Sequence, residues 1–351
     1  MSDTRENVCN PASRSDVDAS TAVAAQERET PSAVVTSSSA AAAVASAPQA
    51  AEPQAASAVP EAPEDVLKGR KLIENQSLDQ ERALYNTNHA LIRNCHFGGL
   101  ADGESALKES SDFEVVDSVF DMRYVLWHDR NFVLRNVTLN EPTRAPLWYD
   151  SHGLIENSTL HSIKNIRECL NMTLRNCDID SDEFGWKCSA LTLEDCKINS
   201  VYGFLDSKNL VLRRVNSTGK YVLQYVENAE IEDCTFDTKD CLWHARNVTV
   251  KNSTISSEYL AWYSDGLTLI NCKIISTQPL CYCRNLKLIN CTMETCDRAF
   301  EYSDVDATIK GHIQSITNPR SGIIRADSIG EIIKGNEVME CNADIVLNAT
   351  L

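Results

Sequence analysis

The sequence is short of most features that declare a protein's chemistry outright. It has no run of 18 or more apolar residues, so nothing in it reads as a bilayer-spanning helix. Basic residues are scarce, 33 against 50 acidic ones, for a formal charge of -17. Nucleic acid and anionic membrane surfaces reward Lys and Arg, so neither is expected as a partner. Fourteen Cys are present without a single CxxC pair, which excludes a zinc ribbon and a dithiol oxidoreductase. Aromatics make up only 7% of 351 residues, and five of them are Trp.

The first 65 residues lack Trp, Tyr, Phe, Ile and Leu altogether and are rich in Ala, Ser, Pro and Glu. Such a segment cannot bury enough apolar surface to offset chain entropy, which predicts a disordered acidic tail over 1–65 and one folded domain over 66–351. The start is acidic and polar, and Ala33 to Ala47 is broken by serines, unlike the apolar core of a signal peptide. Scattered thiols without a pairing pattern suit a cytoplasmic location.

What fills the rest is a repeat. A pattern of apolar, x, apolar, x, Asn or Asp, small, x, apolar recurs as FVLRNVTL (132–139), MTLRNCDI (172–179), LTLEDCKI (191–198), VTVKNSTI (248–255) and LTLINCKI (267–274). Its Asn/Asp position falls at Asn94, Asp117, Asn136, Asn157, Asn176, Asp195, Arg214, Asp233, Asn252, Asn271, Asn290 and Gly311. The steps are 23, 19 and 21, then seven of 19, then 21. The local alternation has period two, which is strand rather than helix. A 19-residue, strand-rich turn stacked on its copies is an all-β parallel β-solenoid of about twelve coils, each rising ~4.8 Å.

Three columns follow from the register. The residue after the Asn is small: Cys95, Ser118, Val137, Ser158, Cys177, Cys196 and onward. This reads as a buried ladder of thiols and hydroxyls, because free Cys packs as a small hydrophobe. No metal site is expected there, since stacked column mates lack the spread of a tetrahedral site. The residue before the Asn alternates in sign over seven coils: Arg135, Glu156, Arg175, Glu194, Arg213, Glu232, Lys251. Opposite charges one strand apart attract, so this column pins the register on a solvated face. Segment 314–351 breaks the register and is expected to form the last coils and a cap, with 66–85 capping the other end.

The candidate site lies in the second half of each coil. Nine residues before the Asn stand Trp127, Trp148, Arg167, Trp186, Trp243 and Trp262, so all five Trp share one column. Its N-terminal neighbour is apolar and points inward, so the Trp column should point outward. Around it gather Lys108, Glu109, Arg123, His128, Arg144, Tyr149 and Glu168, and further along Lys220, Tyr225, Lys239, Asp240, His244, Glu258 and Tyr263. Flat rings beside charge and imidazole are the makeup of a carbohydrate-binding groove, with Trp127, Trp148, Tyr149, Trp186, Trp243, Trp262, Tyr263, Arg144 and Lys239 as binding residues. The alternative is that the indoles pack against their neighbours and stiffen the stack.

Chemistry at such a stripe takes one of two forms. A lyase needs a base and a cation beside the developing enolate; His128 or His244 would be the base, and Lys108, Arg123, Arg167 or Lys239 the cation. A hydrolase needs two carboxylates ~5 or ~6.5–9.5 Å apart. Glu109 and Glu168 lie three coils apart, roughly 14 Å, too far; Asp240 and Glu258 lie one coil apart. No cofactor is expected, and no calcium-binding run of Asp is evident. Against catalysis stands a binding module or scaffold, a rod that recognises glycan or protein without turnover. The oligomeric state stays open.

The second-half segments GESALKE (103–109), RYVLWH (123–128), RAPLWY (144–149), TKDCLWH (238–244) and EYLAWYS (258–264) resemble a family of bacterial proteins labelled only as a domain of unknown function. The resemblance covers roughly residues 80 to 335. It implies a right-handed parallel β-helix of the pectin-lyase-like class and brings no catalytic residues with it.

Overall fold

A computed structural model describes residues 69–99 and 103–347. The acidic segment 1–65 lies outside the described residues. The chain winds as a parallel β-solenoid of about 14 turns with almost no helix. That is about two turns more than the repeat counts. One additional coil is N-terminal and keeps the 19-residue step, with Ile73 opposite Ile92 and Asn94 bonded to Asn75, but it carries Gln76 where the pattern wants a small residue. The others lie past Gly311, where the step fails. Lys71–Glu74 already pairs in parallel with Asn88–Arg93, and Ser321–Ile333 and Asp344–Leu347 continue the sheet beyond Gly311. The stretch expected to cap the N-terminal end is therefore partly a coil itself.

Each coil has three faces. The first carries the six-residue strands, such as Arg130–Arg135, Ser151–Glu156 and Leu170–Arg175, each paired in parallel with its equivalent in the neighbouring coil. The second carries strands of two to four residues, such as Thr138–Leu139 and Lys197–Ser200. The third has only paired two-residue strands, Leu126–Trp127 with Leu147–Trp148 and Glu183–Phe184 with Tyr202–Gly203. The third face holds the Trp column.

The sharp corners explain the sequence pattern. The Asn/Asp column sits at φ near +50°, at Asn94, Asp117, Asn136, Asn157 and Asn176 among others. Asn and Asp tolerate this left-handed region better than other side-chain-bearing residues. The amides also bond along the stack, Asn136 to Asp117 at 3.0 Å and Asn176 to Asn157 at 2.8 Å. A second left-handed corner carries Asn131, Asn171, Asn209, Asn228 and Asn247, again with bonds between coils. Inside, every second residue is buried: Ile92, Val115, Leu134, Ile155, Leu174 and Leu193 form one continuous apolar column. Phe97 and Phe120 stack within the core at 4.6 Å.

The alternating column does what its signs imply. Arg135 pairs with Glu156 at 3.3 Å, and Arg175 bridges Glu156 and Glu194 at 3.3 and 3.0 Å. These solvated pairs fix register more than they stabilise. The small column is buried as expected. Its thiols donate to carbonyls, Cys177 to Arg175 and Cys234 to Glu232 at 3.3 and 3.2 Å. Every cysteine among the described residues is a free thiol.

A further inward ladder stands two residues after the Trp column: Ser110, Asp129, Asp150, Cys169, Cys188, Ser207. The hydroxyls and carboxyls accept a backbone N–H from the coil before, whereas the thiols of Cys169 and Cys188 donate to carbonyls of Arg167 and Trp186. Asp129 accepts from Ser110 at 2.7 Å, Asp150 from Asp129 at 2.8 Å, and Ser207 from Cys188 at 2.8 Å. The two carboxyls are fully buried, and the second oxygen of each has no partner. Burial drives the Asp129 pKa up to about 9, its bond from Ser110 opposing and the Glu109 charge adding; burial likewise pushes Asp150 well above the carboxylate range. In both, burial favours the neutral acid over the carboxylate.

Candidate functional site: a ring ribbon and a row of charges

The third face turns sharply because residues on it adopt left-handed backbone. The position after the Trp column is left-handed in coil after coil: His128, Tyr149, Glu168, Lys187, Asp206, Tyr225, His244, Tyr263 and Tyr282 all have φ between 51° and 63°. A side chain at such a corner leaves the coil edge and lies over its column mate. Tyr225, His244, Tyr263 and Tyr282 thereby form one stack, with centroids 4.8, 5.1 and 4.7 Å apart and planes 8–10° apart. His128 and Tyr149 form a shorter stack at 5.2 Å.

The stack covers the ring faces and leaves the edges in water. Tyr149, Tyr225 and Tyr263 are 45%, 52% and 47% exposed. What solvent meets is a ribbon of phenol hydroxyls and an imidazole edge, about one per 4.8 Å coil. The ribbon ends at Tyr302, which is buried and tilts against Tyr282 at 5.8 Å.

The Trp column behaves differently from the outward-pointing platform expected of it. All five indoles are only half exposed. Trp186, Trp243 and Trp262 bend over the next coil and donate to the carbonyls of Tyr202, Tyr259 and Gln278 at 2.7, 2.6 and 2.7 Å. Trp243 and Trp262 stack at 5.4 Å with planes 4° apart. The indoles point away from the core, as the alternation requires, but these three lie along the surface because each N–H finds a carbonyl one coil away, while Trp148 donates to Glu168 Oε1 at 3.3 Å and the Trp127 N–H is buried without a partner. Arg167 is sandwiched between Trp148 and Trp186, 4.9 Å from each ring, and ion-paired to Glu183 at 2.7 Å. Lys108 covers Trp127 at 5.1 Å. Both cations are engaged in the column itself.

Four residues before the Trp column runs a row of charges: Lys220, Lys239 and Glu258, all exposed. Beside it lies Asp240. In its column the neighbouring coils place Tyr202, Tyr221 and Tyr259, and Tyr202 stacks on Tyr221 at 5.0 Å. Asp240 interrupts this ring column with a carboxyl that is 7% exposed and whose Oδ1 is buried without a partner. Burial raises its pKa, with Lys239 opposing and Glu258 adding to the shift. His244 is shifted the other way: burial, then the charge of Arg246, lowers its pKa and favours neutral imidazole.

The predicted residues thus fall into three groups. His244, Tyr263, Trp243, Trp262, Lys239, Asp240 and Glu258 share one stretch of the face. Trp127, Trp148, Trp186, Arg167 and Lys108 form a cation–indole column, with His128 and Tyr149 stacked beside it. Arg123 and Arg144 stand apart from both, in a cleft with Asp121 and Glu141. Arg123, Lys108 and His128 therefore serve different partners. Sequence reasoning gathered Tyr225 around the column without naming it a binding residue and left Tyr282 out, although both occupy the column after the Trp. Among the described residues, no three His, Cys, Asp or Glu side chains come together as a metal site.

Coils of three parallel strands with one aromatic, charged face place this chain among the parallel β-helix proteins. Residues 71–346 match the family model of DUF3737, proteins of unknown function, and the chain belongs to that family. No functionally curated protein matches it. It is similar to solved structures only remotely. PfbA, a surface adhesin of Streptococcus pneumoniae, shares 9% identity over 81% of this chain and 86% of that one, with a TM-score of 0.35. The A-module of the Azotobacter vinelandii mannuronan C-5 epimerase AlgE6 shares 10% over 81% and 92%, at 0.29. A hyperthermoactive exopolygalacturonase from Thermotoga maritima shares 10% over 82% and 86%, at 0.27. At such TM-scores these likenesses carry no argument about ligand or reaction here.

Proposed function

We propose that the protein binds carbohydrate along the ring ribbon, with the saccharide lying across the ring edges rather than on ring faces. The observation that carries this reading is the uninterrupted stack Tyr225–His244–Tyr263–Tyr282, edge-exposed and parallel to Lys220, Lys239 and Glu258. A donor or acceptor per coil, repeating at about 4.8 Å, matches a polymer that repeats hydroxyl groups about once per sugar residue. The charged row supplies charge-assisted hydrogen bonds to the same ligand. A glycan array followed by calorimetry tests it. Binding that weakens when the ribbon hydroxyls are removed supports the reading; capture of protein ligands alone would favour a protein-binding rod.

A hydrolytic reading has one specific observation in its favour, the buried carboxyl of Asp240, whose Oδ1 has no partner and whose pKa burial raises. In that case Asp240 would pass its proton to the glycosidic oxygen as the C–O bond breaks, while Glu258, one coil on, takes a proton from the attacking water. Asp240→Asn should then abolish release of new reducing ends while leaving saccharide binding intact. A lyase reading would use His244, held neutral, as base. The cytoplasmic location belongs to the same proposal, supported by the unpaired buried thiols; fractionation of expressing cells tests it.

A further inference from the structure

The chain has a formal charge of -17, but its first face does not share in it. The eight six-residue strands from Ser111–Val116 to Arg246–Lys251 hold seven basic and seven acidic residues. The excess of acid lies elsewhere on the molecule.

This neutral face is ordered in stripes. Down its middle run Val133, Leu154, Thr173, Thr192 and Val211, matched from coil to coil and half-exposed. Leu170, at the start of its strand, is 48% exposed. Over these coils charge is confined to the margins. One margin is the alternating column that begins at Arg135; the other carries Arg130 and Lys208. An uncharged centre with a charged rim is the anatomy of a protein–protein interface.

The alternation makes the face complementary to itself. Let a second copy lie face to face and antiparallel, about a two-fold axis between Leu170–Arg175 and Ser189–Glu194, the midpoint of the eight neutral strands. Arg175 then stands opposite Glu194 of the second copy, Glu156 opposite Arg213, and Arg135 opposite Glu232. At the other margin Arg130 meets Glu227. In the middle Leu154 meets Val211 and Thr173 meets Thr192. Across all eight strands no charge meets its like. Other arrangements fail this test. An axis through the Leu170–Arg175 coil would set Arg135 on Arg213 of the second copy. Parallel solenoids would exchange the margins and set Arg135 on Arg130 and Glu232 on Glu227.

The area is sufficient. Eight strands at ~4.8 Å and six residues at ~3.3 Å make a face of roughly 760 Å² per copy. A standard stable interface takes about 800 Å² from each partner.

We infer that the first face is an isologous interface, on which two copies of this chain pack antiparallel about an axis between two coils. The charged margins set the orientation and the uncharged centre supplies the buried area. The inference goes beyond the ribbon reading, since the ribbon lies on the third face.

The test is sedimentation equilibrium of the full chain without saccharide, so its outcome is independent of the ribbon reading. Wild type should form a dimer and nothing larger, because an isologous contact closes at two copies. Thr173→Glu/Thr192→Glu sets like charges opposite each other at the centre and should weaken the dimer at least tenfold. The fold tolerates Glu in this column, where Glu114 and Glu230 already stand. Should that variant fail to fold, Leu154→Glu/Val211→Glu makes the same test. Thr235→Glu, at an exposed position on the second face, should leave the dimer unchanged. A monomeric wild type, an open-ended assembly, a dimer that survives the double Glu variants, or one that Thr235→Glu weakens equally would each overturn the inference.

Discussion

The imidazole of His244 lies flat on the phenol ring of Tyr263, with centroids 5.1 Å apart and planes 9° apart. Tyr225 covers its other face at 4.8 Å. A ring so placed presents only its edge, and this decides how the face meets a ligand. An aromatic platform needs free ring faces; an aromatic stack offers a line of polar edges and a rigid support.

The His244 imidazole should titrate below its usual value of about 6.5. Burial and Arg246 both disfavour its charged form. Because the folded value is depressed, its contribution to stability is present above the unfolded pKa and is lost as pH falls through the folded one. An NMR titration of the His244 ring protons checks this, and Arg246→Gln should move the midpoint up toward 6.5. A wild-type midpoint above 6.5 contradicts the packing described.

The buried carboxyls Asp129 and Asp150 predict the opposite slope over a different range. Their folded pKa values are raised above the unfolded value, Asp129 to about 9. Stability from these groups is full below about pH 4 and is lost as pH rises toward 9. Thermal unfolding should therefore show a midpoint that falls as pH rises from about 5 to about 9. Asp129→Asn/Asp150→Asn, which keeps neutral acceptors in place, should flatten the slope. An unchanged slope in the double variant would show that the carboxyls are already ionised at neutral pH.

Gly219 is required where it stands. Its φ is 147°, and a Cβ there would fall 1.7 Å from the carbonyl oxygen of Ser200. Gly219→Ala should cost about 2–4 kcal/mol in chemical denaturation. A loss under 0.5 kcal/mol would mean that the corner before Lys220 differs from the one described.

The arrangement of the coils was legible because a solenoid writes its geometry into columns. Asn94 to Asn290 marked the left-handed corner, and Arg135 to Lys251 marked a face by alternating sign. Less legible was how neighbours in a column meet. Trp243 was readable as outward-facing, but not as bending to the carbonyl of Tyr259, since that depends on a donor finding an acceptor in the next coil. Asp129 and Asp150 lie in a column of otherwise small uncharged residues, Ser, Cys, Ala and Val, and reading that column would have exposed two buried acids. The coil at Ser321 was missed because its spacing departs from 19; the coil at Lys71 keeps that spacing, but Gln76 replaces the small residue after Asn75 and so breaks the pattern.

Asp240 separates binding from catalysis. If the face is hydrolytic, Asp240→Asn should lower turnover at least 10²-fold with binding affinity within a factor of three, since a general acid contributes typically 10²–10⁴-fold. Equal activity in the variant would leave binding as the role of the face.

The central claim is that a saccharide meets the edges of the ring ribbon. Its most direct test is isothermal titration of a bound oligosaccharide against wild type and Tyr225→Phe/Tyr263→Phe. The double variant keeps the stack and removes only two hydroxyls, each worth about 0.5–1.5 kcal/mol. The account predicts roughly tenfold weaker binding with an unchanged thermal midpoint. Undiminished affinity in the double variant, or no saccharide bound by the wild-type chain, would contradict it.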